Sequence, residues 1–256
     1  FTSCKKKDGC PPWLITAKKI THDKDKKQLI YKDAILKVYN IPILYFPKFF
    51  HPDPTVKRQS GLLKPELNNS NVLGSSVSIP YYQVIADNKD FTFRPTIFDQ
   101  DIKMFQNEYR QVNKNSSLTV DFGYTDGYQS TLSNQKNSIS HLFAKFDADL
   151  ALDKFRNSDF FLQIQKVSND TYLKIFDGNL FKSKIHPENY DILSSEAKLT
   201  LDHERYNFTT GFQSFENLQL VSSDRYQYIL PYYNFNRRVL NDFEYGTFNL
   251  SSSGNN

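Results

Sequence analysis

Cysteine, tryptophan, methionine and glycine are all scarce in this 256-residue sequence, which has two Cys, one Trp, one Met and nine Gly. Cys4 and Cys10 both lie near the start, too few to staple a fold of this length or to build a zinc finger. The sparse glycines supply neither a phosphate-cradling loop nor a nucleophile elbow. Long hydrophobic runs are missing too. The best stretch, Ile41-Pro42-Ile43-Leu44-Tyr45-Phe46-Pro47, is far below the roughly 20 apolar residues that a membrane-spanning helix needs. A transmembrane barrel is not excluded, because its strands show only alternate residues to lipid. The net charge of +4 permits an anionic partner, but no clustered basic footprint calls for nucleic acid.

Chemistry-bearing clusters are equally thin. His51 with Asp53, and His203 with Asp202 and Glu204, lack further ligands at diagnostic spacing, so they read as turn or lumen residues and no metal is expected. Asp147 and Asp149 project from one face of a strand, which suits solvated carboxylates better than a general acid/base pair in a closed pocket. No cofactor and no enzymatic activity are expected.

What is abundant is aromatic: 22 Phe and 16 Tyr, set among polar turns. Residues 13–50 read as three or four short strands: Trp13–Ala17, Leu29–Tyr31, Ala34–Tyr39 and Ile41–Phe46. Residues 47–71, with Pro47, Pro52, Pro54, Pro65 and the pair Lys57-Arg58, read as a connector or domain junction. Beyond residue 72 the strands lengthen and alternate cleanly. Leu142, Ala144, Phe146, Ala148, Leu150 and Leu152 share one face, with Lys145, Asp147 and Asp149 on the other. Leu118, Val120, Phe122 and Tyr124 oppose Thr119, Asp121, Gly123 and Thr125 in the same way. Residues 177–189 read as a longer connection, carrying a short helix or forming an external loop.

Two architectures satisfy this alternation. A soluble sandwich turns the apolar face inward, whereas a membrane barrel turns it to lipid and keeps a polar lumen. Strand length favours the barrel, since about 9–11 residues cross a bilayer while globular strands average about 5–6. Tyr124, Tyr128, Tyr226, Tyr228, Tyr232 and Tyr233 near strand ends would then form interfacial girdles.

The first long hairpin carries two mid-strand prolines, Pro80 and Pro95. With Asp87-Asn88 as the turn they lie directly opposite. With Asp87-Asn88-Lys89 they are offset by one, and Val77, Ile79, Tyr81 and Ile85 share a face with Phe91, Phe93, Pro95 and Ile97. The second register is preferred. Each proline removes a ladder donor, so the pair either blunts an exposed edge or weakens a seam at which a closed sheet can part.

Several segments in sequential order carry a resemblance. Phe1-Thr2-Ser3-Cys4, the stretch Pro12–Ile20, Ile41–Pro47, His51–Pro65, Pro80-Tyr81-Tyr82, Asn88-Lys89-Asp90, Pro95 and Asn107-Glu108-Tyr109-Arg110 resemble the LptD family of LPS-assembly proteins. The specific matches span residues 1–112; beyond them the strand rhythm alone continues the likeness. The resemblance implies an all-β chain: residues 1–66 as the end of a periplasmic, LptA-like β-jellyroll, and residues 67–256 as the first strands of a large antiparallel transmembrane β-barrel. It implies an internal segment of an outer-membrane translocon that delivers lipopolysaccharide to the outer leaflet, with Pro80 and Pro95 at a lateral gate. The implied partners are lipopolysaccharide, outer-membrane lipid, a lipoprotein plug of the LptE type and a periplasmic bridge of the LptA type.

Cys4 matches a family cysteine, whereas the far-end cysteines that tie the family's domains together have no counterpart here. A Cys4–Cys10 bridge, a long-range bridge and free thiols all stay open. Lys57, Arg58 and Lys64 are candidates for contact with anionic glycolipid phosphates or, more simply, solvated junction charges. A generic outer-membrane channel and a soluble β-sandwich binding module are the rival readings.

Overall fold

The structure, a computed structural model, describes residues 13–38, 40–53, 55–56, 58–129, 136–221, 223–242 and 246–256. Cys4, Cys10 and Lys57 lie outside the described residues. The chain divides into two compact units, Phe1–Gln59 and Ser60–Asn256.

The first unit is an antiparallel sheet of β1 (Trp13–Asp23), β2 (Gln28–Val38) and β3 (Ile41–Pro52) in sequential order. The strands are longer than the sequence suggests, because Leu29–Tyr31 and Ala34 onward are one strand. They are joined through Asp33, which takes a positive φ of 51° and accepts a hydrogen bond from the Tyr45 hydroxyl at 2.6 Å. Pro47 stands opposite Asp33, where the ladder skips a pair, so its missing N–H costs no ladder bond. That is why β3 continues through a proline that the sequence marks as the start of a connector.

The second unit is a 13-stranded antiparallel sheet. It comprises β4 (Gly61–Leu62), β5 (Glu66–Ser70), β6 (Gly74–Ser78), β7 (Tyr81–Ala86), β8 (Lys89–Phe98), β9 (Lys103–Val112), β10 (Ser116–Gln129) and β11 (Lys136–Asp149). Then come β12 (Asn157–Val167), β13 (Ile192–Asp202), β14 (Tyr206–Asn217), β15 (Tyr226–Asp242) and β16 (Gly246–Asn255). From β8 onward each strand pairs with its sequence neighbour, and the strands run 10 to 17 residues. At the other edge β5 pairs with β6 and β4 with β7, while both β6 and β7 pair with β8. Residues 61–70, expected within a connector, are therefore edge strand. The short apolar and polar runs on either side of Pro65 hide it, since the proline splits the strand signal in two.

The hairpin register also differs from expectation. Asp87-Asn88 is the turn, Ala86 faces Lys89, and a one-residue irregularity at Ile85 shifts the ladder so that Val84 faces Asp90 and Tyr81 faces Phe93. The same register continues below, with Val77 facing Ile97 and Ser78 facing Thr96. This is a two-residue slip from the preferred alignment, and an even slip keeps every side chain on its face.

The faces are the informative feature. Ile97, Phe105, Phe122, Tyr124, Leu142, Ile164 and Phe212 share one face and are exposed. Thr92, Arg94, Thr96, Gln106, Asp121, Thr125 and His141 lie on the opposite face and are buried. Phe146 is half-buried, and Leu150 is exposed at 44%. Tyr128 and Tyr232 leave the expected girdle. Tyr128 follows a register shift after Thr125 and packs inside, and Tyr232 fills the space over Gly211, where a Cβ would come within 2.8 Å of its hydroxyl.

What buries the polar face is the segment 168–191 between β12 and β13. It carries helix α1 (Tyr172–Phe176) and a 3-10 turn, Asp177–Asn179. Tyr172, Leu173, Phe176, Leu180 and Ile185 pack on Phe98, Ile102, Met104, Tyr128, Ile139, Phe143 and Val167. The helix precedes the expected range of 177–189, which holds only the 3-10 turn, and the segment folds onto the sheet and forms its only described apolar core instead of an external loop. Apolar residues spaced three to four apart give that helix a buried side.

Candidate functional site

Two features of the second unit can act on a ligand: the interrupted edge and the covered polar face. At the edge the ladder breaks between β4 and β5 at Leu63-Lys64-Pro65, and between β6 and β7 at Ile79-Pro80. Pro95 lies within β8 at the same level, where its carbonyl accepts the Ile79 N–H at 3.3 Å; the Leu63 N–H reaches the Pro80 carbonyl at 2.8 Å. Prolines 65, 80 and 95 thus fall at one height: Pro65 and Pro80 sit in the two breaks, whereas Pro95 stays within β8 and faces Phe105 of β9. From sequence Pro65 reads as a connector proline, because its own strand is not recognisable as one.

Beside this break is a cleft of about 570 Å³ lined by Lys64, Glu66, Pro80, Arg94, Phe181 and Lys182, among others. Lys64 is exposed at its rim. Arg94 is buried, pairs with Glu66 at 2.8 Å and stacks over the Phe181 ring at 5.2 Å. Arg58 lies in the segment before β4 and is half-buried. Of the lysine and arginine candidates from sequence, Lys64 lines this cleft, Arg58 belongs to the first unit, and Lys57 lies outside the described residues.

The covering segment is pinned by side chains that no sequence motif marks. Gln106, fully buried, donates to the Asn179 carbonyl at 2.7 Å and accepts the Phe181 N–H at 3.0 Å. Asn179 donates to Ser76 Oγ at 3.0 Å, and Asn68 donates to the Gly178 carbonyl at 2.9 Å. Deeper in, Asp121 Oδ2 lies 2.6 Å from His186 Nε2 and its Oδ1 3.2 Å from His141 Nε2. His141 Nδ1 is 2.8 Å from the Tyr172 hydroxyl. At the segment's ends, Lys174 pairs with Asp191, Tyr190 donates to Asp177, and Arg225 grips Asp170 in a bidentate pair at 2.6 and 3.0 Å. Lys174 holds the Asp191 carboxyl below the usual carboxylate range, and the hydrogen bond to Asp177 raises the Tyr190 phenol. The signal available in sequence was the spacing of Tyr172, Leu173, Phe176 and Leu180, together with Met104, Ile139 and Phe143 on an otherwise polar face.

The histidines weighed from sequence sit elsewhere. His51 lies half-buried in β3, while its expected partner Asp53 pairs with His22 at 2.6 Å; His203 stacks on Tyr206 at 4.7 Å while accepting the Arg205 N–H. Asp147 lies 3.8 Å from Lys145, and Asp149 accepts the Ala151 N–H in a turn.

No family model matches the chain. It is 26% identical over 230 residues to LPS-assembly protein LptD of Idiomarina loihiensis, covering 89% of this chain and 28% of that protein. The LptD of Albidiferax ferrireducens is 28% identical over 240 residues, covering 87% of the chain and 28% of the relative. That of Polaromonas sp. is 42% identical over 100 residues, or 38% of the chain. The chain is similar to LptD. The likeness to LptD runs nearly end to end and so extends past residue 112, where the sequence motifs stop. The chain spans little more than a quarter of the length of the Idiomarina and Albidiferax proteins and matches 12% of the Polaromonas one.

Proposed function

We propose that this chain is the junction and leading wall of an outer-membrane lipopolysaccharide translocon, with residues 1–66 belonging to a periplasmic jellyroll and residues 67–256 to a transmembrane barrel. The role is transport, not catalysis. The observation that carries the reading is the inverted sheet: an exposed apolar face backed by a buried face of Thr, Gln, Asp, His and Arg. A sandwich in water would bury the first and expose the second, whereas lipid outside and glycolipid inside reward the arrangement found. Strands of 10 to 17 residues suit a tilted crossing.

The connections support one orientation. The turns at 87–88, 113–115 and 203–205 are short and lie at the end where Ser60 meets Val84, through a 2.8 Å bond to its N–H. The long segment 168–191 is at the opposite end. Barrels carry short turns on the periplasmic side and long loops outside, which supports entry from the periplasm. The break at Pro80, with Pro95 beside it in β8, supports a lateral gate, through which acyl chains leave for the bilayer. A plug of the LptE type and a bridge of the LptA type would act with it. Nitroxide labels at positions 122, 142 and 212 in the intact protein should be relaxed by oxygen in lipid and shielded from a water-soluble nickel chelate. Equal accessibility to both reagents at these positions would overturn the membrane placement.

A further inference from the structure

We infer that Asp121, His141 and His186 form a binding site for one divalent transition-metal ion, zinc foremost, which fastens the segment 168–191 to the wall. The three residues are 20 and 45 positions apart along the chain and meet only through the fold. Asp121 and His141 stand on neighbouring strands β10 and β11: His141 faces Gly123, and Asp121 is two positions along on the same face. His186 arrives from the covering segment. One ligand atom from each, two imidazole nitrogens and a carboxylate oxygen, lie within 4.8 Å of one another. Zinc bonds of about 2.0–2.1 Å place tetrahedral ligands roughly 3.3 Å apart. Asp121 already meets both rings at 2.6 and 3.2 Å, and His186, held outside the strand ladder, supplies the remaining approach.

The surroundings are those of a metal ligand set rather than of a solvated pair. The side chains of Asp121 and His141 are completely shielded, and that of His186 is 11% exposed. The second nitrogen of His141 meets the Tyr172 hydroxyl, which orients the ring and leaves Nε2 for the ion. Phe143 stacks on His141 at 4.8 Å and packs on His186 at 4.9 Å, closing an apolar shell around the polar centre. Gly123 makes room, since a Cβ there would fall 2.2 Å from His141 Cε1. Two neutral imidazoles and one carboxylate are a donor set suited to zinc, with a fourth position left for water. The ion also solves an electrostatic problem, because it compensates a buried carboxylate without requiring either histidine to be protonated.

The test uses the intact protein in detergent, stripped with EDTA and titrated with cobalt(II). The expected result is one equivalent bound with the visible absorption of tetrahedral cobalt, displaced by zinc. H186Q should weaken binding at least about 100-fold, and H186C should restore it with an added thiolate-to-cobalt charge-transfer band, which a purely hydrogen-bonding role would not produce. If the wild-type protein takes up no cobalt, or H186Q binds it as tightly as wild type, the site is refuted.

Discussion

Glu66 and Arg94 are paired at 2.8 Å across an intervening strand, β6, just where the ladder is interrupted at Ile79-Pro80. The pair does what the backbone does not do at that height: it ties the outermost strand to β8. Its two ends differ. Arg94 has 8% of its side chain exposed and Glu66 has 55%, so the pair is partly screened. E66Q is expected to cost no more than about 1 kcal/mol and to speed amide exchange in 61–70. R94A also strips the contact with Phe181 and should accelerate exchange in both 61–70 and 178–182. Hydrogen exchange by mass spectrometry reads both, and identical profiles for the two variants would contradict this division of roles.

Pro80 and Pro95 withhold two ladder donors, and in a hydrocarbon setting each backbone bond formed or lost counts for several kcal/mol. Replacing both by alanine offers N–H groups to the seam and is expected to stiffen it. Slower amide exchange in 76–98 and several-fold slower lipopolysaccharide delivery to the cell surface, at equal protein level, are the expected outcomes. Undiminished delivery would remove these prolines from the gating role. Pro65 joins them at the same height, so P65A should add to the effect rather than repeat it.

Where sequence was informative, the reason is the period of two. The faces of β8 to β14 follow from alternation alone, and they survive even the misjudged register at Ile85, because a bulge plus a shorter turn moved the ladder by two residues and not by one. The edge strand was hidden for the opposite reason: Pro65 cuts 61–70 into pieces too short to alternate visibly. The site on the inner face was illegible because its members are brought together by pairing register and by a segment whose docking depends on long-range packing. Asp121 reads as one polar residue among several until Gly123 is known to face His141. Cys4, Cys10 and Lys57 fall outside the described residues, so their expected roles rest on the sequence alone.

The two latches at the ends of the covering segment give a pH window with a definite sign. Asp191 has its carboxyl depressed, chiefly by the hydrogen bond from Lys174, so its contribution is present above the unfolded carboxylate value of about 3.9 and fades as pH falls through the lower folded value. Tyr190 has its phenol raised, chiefly by its hydrogen bond to Asp177, so its contribution is full below about 10 and fades as pH rises through the higher folded value. In protein stripped of metal, the part of limited proteolysis within 168–191 that these two latches set should therefore be flat between about pH 5 and 9 and quicken on either side. D191N should remove the acid limb, and Y190F the alkaline one.

Arg225 closes the far end by holding Asp170 and Glu216 together, with its side chain 18% exposed. Charge-assisted hydrogen bonds contribute about 1.5–3 kcal/mol each when buried, and less here because Asp170 is 43% exposed. R225Q leaves Glu216 with Lys166 at 2.7 Å but leaves Asp170 without its bidentate partner. Amide exchange in 168–176 should rise by one to two orders of magnitude while exchange in β10 and β11 stays put. Uniform loosening of the strands would mean that the segment is part of the wall's own stability.

Gly123 separates those two possibilities most cleanly. A methyl group at this position meets His141 Cε1 at 2.2 Å, a distance no side chain adopts, so G123A must push the imidazole off Asp121 and Tyr172. Overpacking of this sort costs about 1–3 kcal/mol, and the strain falls on the cluster rather than on the backbone ladder, which β10 keeps with both β9 and β11. The expected outcome is faster exchange and proteolysis across 168–191, with strand content by circular dichroism unchanged. If G123A instead left the segment as protected as in wild type, the Asp121–His141–Tyr172 chain would not be what holds it against the wall.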